Sequence, residues 1–148
     1  MTSGNLQIRR MSATDAEAVA ELAGELGYPC TSAEIKKRME AISEKDLLLV
    51  AINSADKPVG FIQANRIWII EVGYMVEIVG LVVSATARRA GIGRRLIAEV
   101  ESWAKSVGAP RVIVRSNTKR TESHRFYPAL GYNLIKTQAV YEKQLGSV

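Results

Sequence analysis

The sequence predicts a mixed α/β fold whose central sheet is mainly antiparallel and is flanked by about four helices. Three observations predict it. Apolar and β-branched residues form runs at residues 6–10, 47–52, 59–64 and 67–83, as strands do. Apolar residues recur at helical spacing in the segments between and after these runs. From residue 84 a helix, a strand and a further helix follow one another, which adds a parallel pair to an otherwise antiparallel sheet.

The first half begins with a strand at residues 6–10, where Leu, Gln and Ile alternate before two arginines. Residues 14–17 have the spacing of a capping box, which predicts the start of a helix that Gly27 ends. The same spacing recurs at residues 31–34 and predicts a second helix.

Three strands are predicted next. Residues 47–52 are continuously apolar, and residues 53–57 have the composition of a turn. A second strand covers residues 59–64, and the long β-branched stretch at 67–83 contains a turn near residues 71–73. We therefore expect a three-stranded antiparallel meander.

The second half holds a long helix, a short strand and a final helix. The long helix carries a stripe of apolar residues at helical spacing: Ile92, Leu96, Val100, Trp103 and Val107. Gly108 ends it, residues 111–115 form a strand, and residues 124–130 form the last helix. Residues 133–145 are long enough for one or two last strands. No repeat or linker interrupts the chain, so a single domain over residues 1–148 is expected.

Composition is that of a globular protein rather than a membrane or disulfide-rich one. Hydrophobic residues make up 47% of the 148 residues and charged residues 24%. The single cysteine, Cys30, excludes an intramolecular disulfide and fits a reducing compartment. No apolar run reaches the roughly 18 residues that span a bilayer, and the first residues do not resemble a signal peptide. A cytoplasmic protein with no membrane partner is expected.

The net charge of +5 indicates an anionic partner, which could be a nucleic acid, a membrane or a phosphorylated cofactor. The position of the charge discriminates among them. Four arginines cluster around two glycines at residues 88–95, instead of forming a stripe with exposed aromatic residues. This favours a phosphorylated small molecule over nucleic acid.

Residues 88–93 join a strand, residues 77–83, to the long helix. The first amides of a helix have no internal partner, and the helix dipole adds partial positive charge there. Glycines let these amides approach a phosphate closely, and arginines add charge-assisted hydrogen bonds. The turn therefore suits a pyrophosphate, although glycines alone also occur in ordinary tight turns. A dinucleotide-binding turn is excluded because Leu96 occupies the place of its third glycine.

Arg88-Arg89-Ala90-Gly91-Ile92-Gly93 resembles the acyl-CoA-binding motif of the GNAT superfamily of N-acetyltransferases. Three further features resemble that family: the apolar strand end Leu81-Val82-Val83, Asn117 after the next strand, and His124-Arg125-Phe126-Tyr127 followed by Gly131-Tyr132. Within the family, the segment from Asn117 to Tyr127 is most similar to small bacterial aminoalkylphosphonate acetyltransferases and, more loosely, aminoglycoside acetyltransferases.

The resemblance implies acetyl-CoA as co-substrate, an amine as acceptor, a GNAT-like fold and a homodimer, which is common in the family. It also implies a set of cofactor-binding residues: Leu81, Val82, Val83, Arg88, Arg89, Ala90, Gly91, Ile92, Gly93, Arg94, Asn117, His124 and Tyr127.

Direct attack of an amine on a thioester requires a base and an acid. An alkyl ammonium has a pKa of about 10 and must lose a proton, and the leaving thiolate, whose parent thiol has a pKa of roughly 8.5, must gain one. Glu77 is the candidate base. It precedes Leu81 by four residues, so the two side chains are expected on one face of a regular strand. Glu77 also lies six residues before Val83, which is about 20 Å along a strand. The alternatives are that Glu77 is an ordinary strand charge and that ordered water is the base.

Tyr127 is the candidate acid, because the family's tyrosine at this place points at the cofactor sulfur. A core aromatic is the alternative, and Pro128 disfavours helical geometry at the residue before it. His124, the only histidine, cannot complete a zinc cluster with one distant cysteine. Trp68 and Tyr74 are candidates for an amine pocket or for packing.

Two other kinds of protein remain open at this point. A non-catalytic acyl-CoA-binding module would keep the arginine–glycine turn without needing Glu77 or Tyr127. An acetyltransferase that acts on a protein amine would share every motif described above.

Overall fold

The structure is a computed structural model that describes residues 6–88 and 90–146. Its residues group into two compact units, residues 1–115 and residues 116–148, each of which is described by itself. The single-domain organisation expected from the sequence stays a prediction.

The first unit is built on a five-stranded sheet in the order β1-β2-β3-β4-β5. The strands are β1 (Gln7–Arg10), β2 (Leu47–Ile52), β3 (Pro58–Ile69), β4 (Gly73–Val83) and β5 (Val112–Val114). The first four strands pair antiparallel, and β5 pairs parallel to β4. The predicted fold class, a mixed and mainly antiparallel sheet, is confirmed.

Four α-helices occur in the described residues, as the sequence predicts. They are α1 (Ala16–Glu25), α2 (Ser32–Ala41), α3 (Ile92–Ser106) in the first unit and α4 (Ser123–Ala129) in the second. No helix within the described ranges is long and apolar enough to cross a membrane.

The capping box predicted at residues 14–17 is wrong by two residues. A 3₁₀ turn at Ala13–Asp15 precedes α1, and the backbone N–H of Ser12 donates to the Asp15 carboxylate at 2.8 Å. Asp15 is held there because both guanidinium NH groups of Arg9, on β1, donate to it at 2.8 and 2.9 Å. An ion pair to a strand therefore decides where the helical segment begins.

The second predicted capping box is confirmed. The Glu34 backbone N–H donates to the Thr31 hydroxyl at 3.1 Å, and the Thr31 backbone N–H donates to the Glu34 carboxylate at 2.9 Å. Two amides that a helix start leaves unpaired are thereby satisfied.

The core lies on both faces of the sheet. On one face, α1 and α2 pack on β2 and β3 through a cluster made of Ala16, Val19, Ile35, Val50 and Ile52, with Phe61 against it. On the other face α3 buries Ile92, Leu96, Ile97, Val100 and Ala104. Full burial of a side chain such as Leu96 contributes about 1.5–3 kcal/mol to stability.

A glycine sets how closely α3 approaches the sheet. A Cβ at Gly60 of β3 would lie 3.2 Å from Cγ2 of Ile92, in the first turn of α3, and 3.1 Å from the Val82 carbonyl oxygen. The absence of a side chain at Gly60 therefore fixes the height of the α3 N-terminus above β3 and β4.

The expectation of one or two last strands within residues 133–145 is wrong. After α4, no strand is assigned from residue 133 to residue 146. Large apolar side chains in this segment are exposed: Leu134, Ile135, Val140, Tyr141 and Leu145. A strand requires a hydrogen-bonded neighbour, and in the described part of the chain β5, at the sheet edge, pairs only with β4.

Candidate functional site

The N-terminus of α3 has the geometry of an anion-binding site. Gly91, the N-cap residue, has a left-handed backbone with φ of 76°, which favours glycine. Gly91 has no side chain that could cap this end, and the first helical hydrogen bond runs from the Arg95 N–H to the Gly91 carbonyl. The amides of Ile92, Gly93 and Arg94 precede that bond, so they have no partner within the helix and carry the positive end of its dipole.

Positive side chains surround this helix end. Arg88 and Arg94 are exposed, and the Nε of Arg88 donates to the Val83 carbonyl at 3.5 Å. Ala90, between them, is exposed as well. Arg89, which the sequence also assigns to cofactor binding, lies outside the described residues. The charge of Arg88 and Arg94 adds to the helix dipole at the same place.

An open strand edge leads away from this helix end. β5 pairs with β4 only at Val76–Ile78. Within the described ranges, no strand pairs with the β5 side of residues 79–83, which include Leu81, Val82 and Val83. Backbone N–H and C=O groups at such an edge can bind an extended ligand as a further strand would.

A β-bulge divides β4 and overturns one expectation. Gln63 pairs with Gly80 but the next residue, Ala64, pairs with Ile78, so Val79 is an extra residue in β4. Glu77 pairs with Asn65 whereas Leu81 pairs with Ile62. Partners share a face and residues three apart in a strand do not, so Glu77 and Leu81 project to opposite faces. The prediction of a common face is wrong because it assumed a regular strand.

Glu77 lies on the face that α1 and α2 cover elsewhere. Its side chain is 12% exposed, and the Nε of Arg115, just after β5, donates to its carboxylate at 3.1 Å. Arg115 itself is 54% exposed. The ion pair holds the carboxylate in place and offsets its charge.

Two amide side chains lie beside Glu77 and were missed by the sequence reasoning. Asn65 is directly opposite Glu77, and the Nε2 of Gln63 donates to the Asn65 Oδ1 at 3.3 Å. A signal was present, because Gln63 and Asn65 flank the buried Ala64 in a strand whose only other polar residue is Arg66.

Trp68 and Tyr74 lie on the other face of the sheet. They pair across β3 and β4, their rings stack at 4.5 Å, and the Tyr74 hydroxyl donates to the Val107 carbonyl at the end of α3. Of the two roles left open, the register favours packing, since Glu77 projects from the opposite face.

In the second unit, Asn117 and His124 organise a turn. The Asn117 Oδ1 accepts from the Lys119 backbone N–H at 2.9 Å, and the Nε2 of His124 lies 2.8 Å from the Thr118 carbonyl oxygen. The described residues contain no group of three His, Cys, Asp or Glu side chains placed to hold a metal ion.

Tyr127 lies in α4, which continues through Pro128 to Ala129. Its ring makes edge-to-face contacts with Phe126 at 5.1 Å and Tyr132 at 6.0 Å. Burial raises the pKa of Tyr127 above its usual 10, and the positive charge of Arg120 partly opposes this rise in pKa. The hydroxyl is therefore protonated at neutral pH.

Comparison with known proteins agrees with this geometry. The sequence model described as "Acetyltransferase (GNAT) family" matches residues 16–132, which is most of the chain. The chain belongs to the GNAT acetyltransferase family. The GNAT match includes every candidate site residue, from Glu77 to Tyr127.

Individual GNAT relatives are more distant. Aminoglycoside N(6')-acetyltransferase type 1 of Serratia marcescens is 34% identical over 67 residues, 45% of this chain and 46% of the relative. The matched region thus spans about half the length of this curated relative.

Solved structures share the fold. A transcriptional regulator from Bacillus halodurans C-125 superposes with a TM-score of 0.84 and 22% identity, over 93% of this chain and 99% of the other. Aminoglycoside N-acetyltransferase AAC(6')-Iy, in complex with CoA, gives a TM-score of 0.81 and 21% identity over 94% and 95% of the two chains. At these identities the likeness establishes the fold alone.

Proposed function

We propose that this GNAT protein is an acetyl-CoA-dependent N-acetyltransferase that acetylates a primary amine of a small molecule by direct attack in a ternary complex. One observation carries the proposal: the N-terminus of α3, where Gly91 offers no side-chain cap, adjoins the open edge of β4, which leads back to the partly buried carboxylate of Glu77. The similarity to aminoglycoside acetyltransferases, one of them solved with CoA, supports the same reading.

In this proposal the pyrophosphate of acetyl-CoA binds the amides of Gly91, Ile92, Gly93 and Arg94. Arg88, Arg89 and Ala90 complete the turn around it, and the pantetheine arm lies along Leu81, Val82 and Val83. Pyrophosphate needs free backbone N–H groups, and the start of α3 provides them because Gly91 has no capping side chain. The extended shape of the pantetheine arm fits the unpaired edge of β4.

In the second unit, Asn117 and Tyr127 contact the co-substrate, and His124 contributes by holding the turn that contains Thr118. These three assignments rest on the family motif and on the hydrogen bonds within the turn.

Glu77 accepts a proton from the acceptor ammonium, directly or through a water molecule. The neutral nitrogen then attacks the thioester carbonyl carbon and a C–N bond forms. The attacking nitrogen loses its second proton to solvent, and the C–S bond breaks. The departing thiolate takes a proton from the Tyr127 hydroxyl, which is protonated at neutral pH. Products are the N-acetylated amine and CoA, and the two protein groups recover their protonation through solvent.

Residues 1–148 act as one catalytic domain in this proposal, because the family match crosses from the first unit into the second. We place the enzyme in the cytoplasm, where the single cysteine needs no oxidising compartment.

A homodimer is part of the proposal. The sheet ends at β5, and the segment from residue 133 to 146 has strand-like composition but no assigned strand. Pairing of that segment with β5 of a second copy would give the edge strand and the segment a hydrogen-bonded neighbour each. Light scattering should give twice the chain mass, and Tyr141→Asp should shift the protein toward monomer. A monomeric wild type would overturn this point.

Turnover of acetyl-CoA with a panel of primary amines tests the activity, with free CoA as the measured product. Glu77→Gln should lower kcat by roughly 10²- to 10⁴-fold and leave the KM for acetyl-CoA unchanged. Glu40→Gln, at an exposed position of α2, is the matched control and should behave as wild type. Acetyl-CoA binding without CoA release for any amine would instead indicate a binding module, and acetylation of peptides alone would indicate a protein acceptor.

A further inference from the structure

The surface beside Glu77 contains an unfilled position. Gly80 pairs with Gln63, so it lies on the same face as Gln63, Asn65 and Glu77. A Cβ built on Gly80 meets no heavy atom of the described residues within 4 Å. Gly80 is also outside the set of described glycines with positive φ, so its backbone does not itself require glycine. The space above Gly80 is therefore available to a ligand.

The walls of this space are polar and almost neutral in sum. The charge of Glu77 is offset by Arg115 at 3.1 Å, and the two remaining polar side chains are amides. Because Asn65 Oδ1 accepts from Gln63, its Nδ2 group faces other partners, and the Gln63 Oε1 remains an acceptor. No further hydrogen bond of these two amides occurs among the described residues.

We infer that Gly80, Gln63 and Asn65 form the acceptor pocket beside Glu77 and determine its specificity, favouring a primary amine with a neutral hydrogen-bonding group, such as a hydroxyl, near the nitrogen. The inference rests on the proposed acetyltransferase function. Gly80 provides the floor, the amide pair binds the neutral group, and Glu77 receives the ammonium. A second ammonium gains little from a wall whose one carboxylate is already paired.

The experiment compares amines of equal length with and without a hydroxyl, such as 3-amino-1-propanol and butylamine. Wild type should use the amino alcohol with a kcat/KM higher by roughly 3- to 10-fold, the effect of one net hydrogen bond. Asn65→Leu should remove this preference by lowering kcat/KM for 3-amino-1-propanol to the value for butylamine. Gln63→Leu should weaken the preference in the same direction.

Gly80→Val tests the floor of the pocket. It should lower kcat/KM at least 10-fold for amines branched next to the nitrogen, with a much smaller effect on unbranched amines. Trp68→Phe is the control, because Trp68 is on the same strand as Asn65 but on the opposite face. It should alter neither the preference for the amino alcohol over butylamine nor the relative use of branched and unbranched amines. Thermal unfolding should be similar for all variants, since the open space accommodates the added methyl groups.

The outcomes separate this inference from the proposed function. If wild type releases CoA but Asn65→Leu retains the hydroxyl preference, the specificity assignment is wrong. If Gly80→Val weakens acetyl-CoA binding as much as it weakens acceptor use, the space belongs to the co-substrate and the inference is overturned. If no amine releases CoA with wild type, the proposed function fails first, and this inference with it.

Discussion

Gly60→Ala should move the helix end that we assign to acetyl-CoA. The new methyl group would lie 3.2 Å from Cγ2 of Ile92, whereas carbon atoms in contact prefer about 3.5–4.0 Å. The contact must therefore lengthen by about 0.3–0.8 Å. Ile92 and Leu96 are 4% and 0% exposed, so neither side chain has free space to enter, and the first turn of α3 has to shift.

The cost follows from two opposing effects. Overpacking of a core contact costs about 1–3 kcal/mol, and replacing glycine by alanine stabilises by about 0.4–1 kcal/mol through the unfolded chain. The net loss is about 1–2 kcal/mol, which lowers Tm by about 2–8 °C in a chain of this size. A displaced α3 N-terminus should also raise the KM for acetyl-CoA several-fold.

Differential scanning calorimetry and acetyl-CoA titration measure the two effects of Gly60→Ala. Gly24→Ala is the matched control, because Gly24 lies inside α1 and a Cβ there meets nothing within 4 Å. It should raise stability by about 0.5–1 kcal/mol and leave acetyl-CoA binding unchanged.

The double variant, Gly60→Ala with Ile92→Ala, should lose less stability than the sum of the two single losses, because Ile92→Ala removes the clashing Cγ2. An unchanged Tm and KM for Gly60→Ala, or strictly additive losses in the double variant, would refute the close-approach argument.

Three further predictions concern other parts of the molecule. The pKa of Asp15 is held below its usual value mainly by the hydrogen bonds from Arg9, so its stabilisation is present above about pH 4 and is lost as the pH falls through the lowered pKa. Asp15→Asn should therefore cost about 1–2 kcal/mol at pH 7 in urea unfolding, and a deficit that did not shrink toward pH 2 would contradict this. Gly91→Ala must adopt a left-handed backbone at a cost of about 1–2 kcal/mol, so calorimetry should show a lower Tm, and steady-state kinetics a raised KM for acetyl-CoA. Tyr127→Phe should lower kcat about 10²-fold with little change in KM, and an unaltered kcat would remove Tyr127 from the reaction.

Local sequence signals predicted the elements of the first unit well. The Thr31 capping box and the helical stripe that begins at Ile92 depend on neighbours within a few residues, so they can be identified without knowing the tertiary structure. The turn around Gly91 was predicted for the same reason, since its left-handed backbone and its position before a helix are local properties.

Features that depend on distant partners could not be predicted in this way. The helical segment near Asp15 begins early because Arg9 of β1 reaches it, and Glu77 is paired because Arg115 follows a strand that is parallel to β4. The segment after residue 133 has strand-like composition, but composition does not reveal whether a neighbouring strand exists. The face from which each side chain of β4 projects depends on the extra residue Val79, and this residue can be identified only from the pairing of β4 with β3.

The bulge at Val79 makes β4 two short segments whose side chains are out of step with each other. Residues before it present Glu77 to one side of the sheet, and residues after it present Leu81 to the other, although the backbone is continuous. Substitutions at Gly80, which is on the same face as Glu77, are therefore separable from substitutions at Leu81 and Val83, which project from the opposite face. Deletion of Val79 would restore a regular strand without moving either side chain to the other face, because Glu77 would still pair with Asn65 and Leu81 with Ile62.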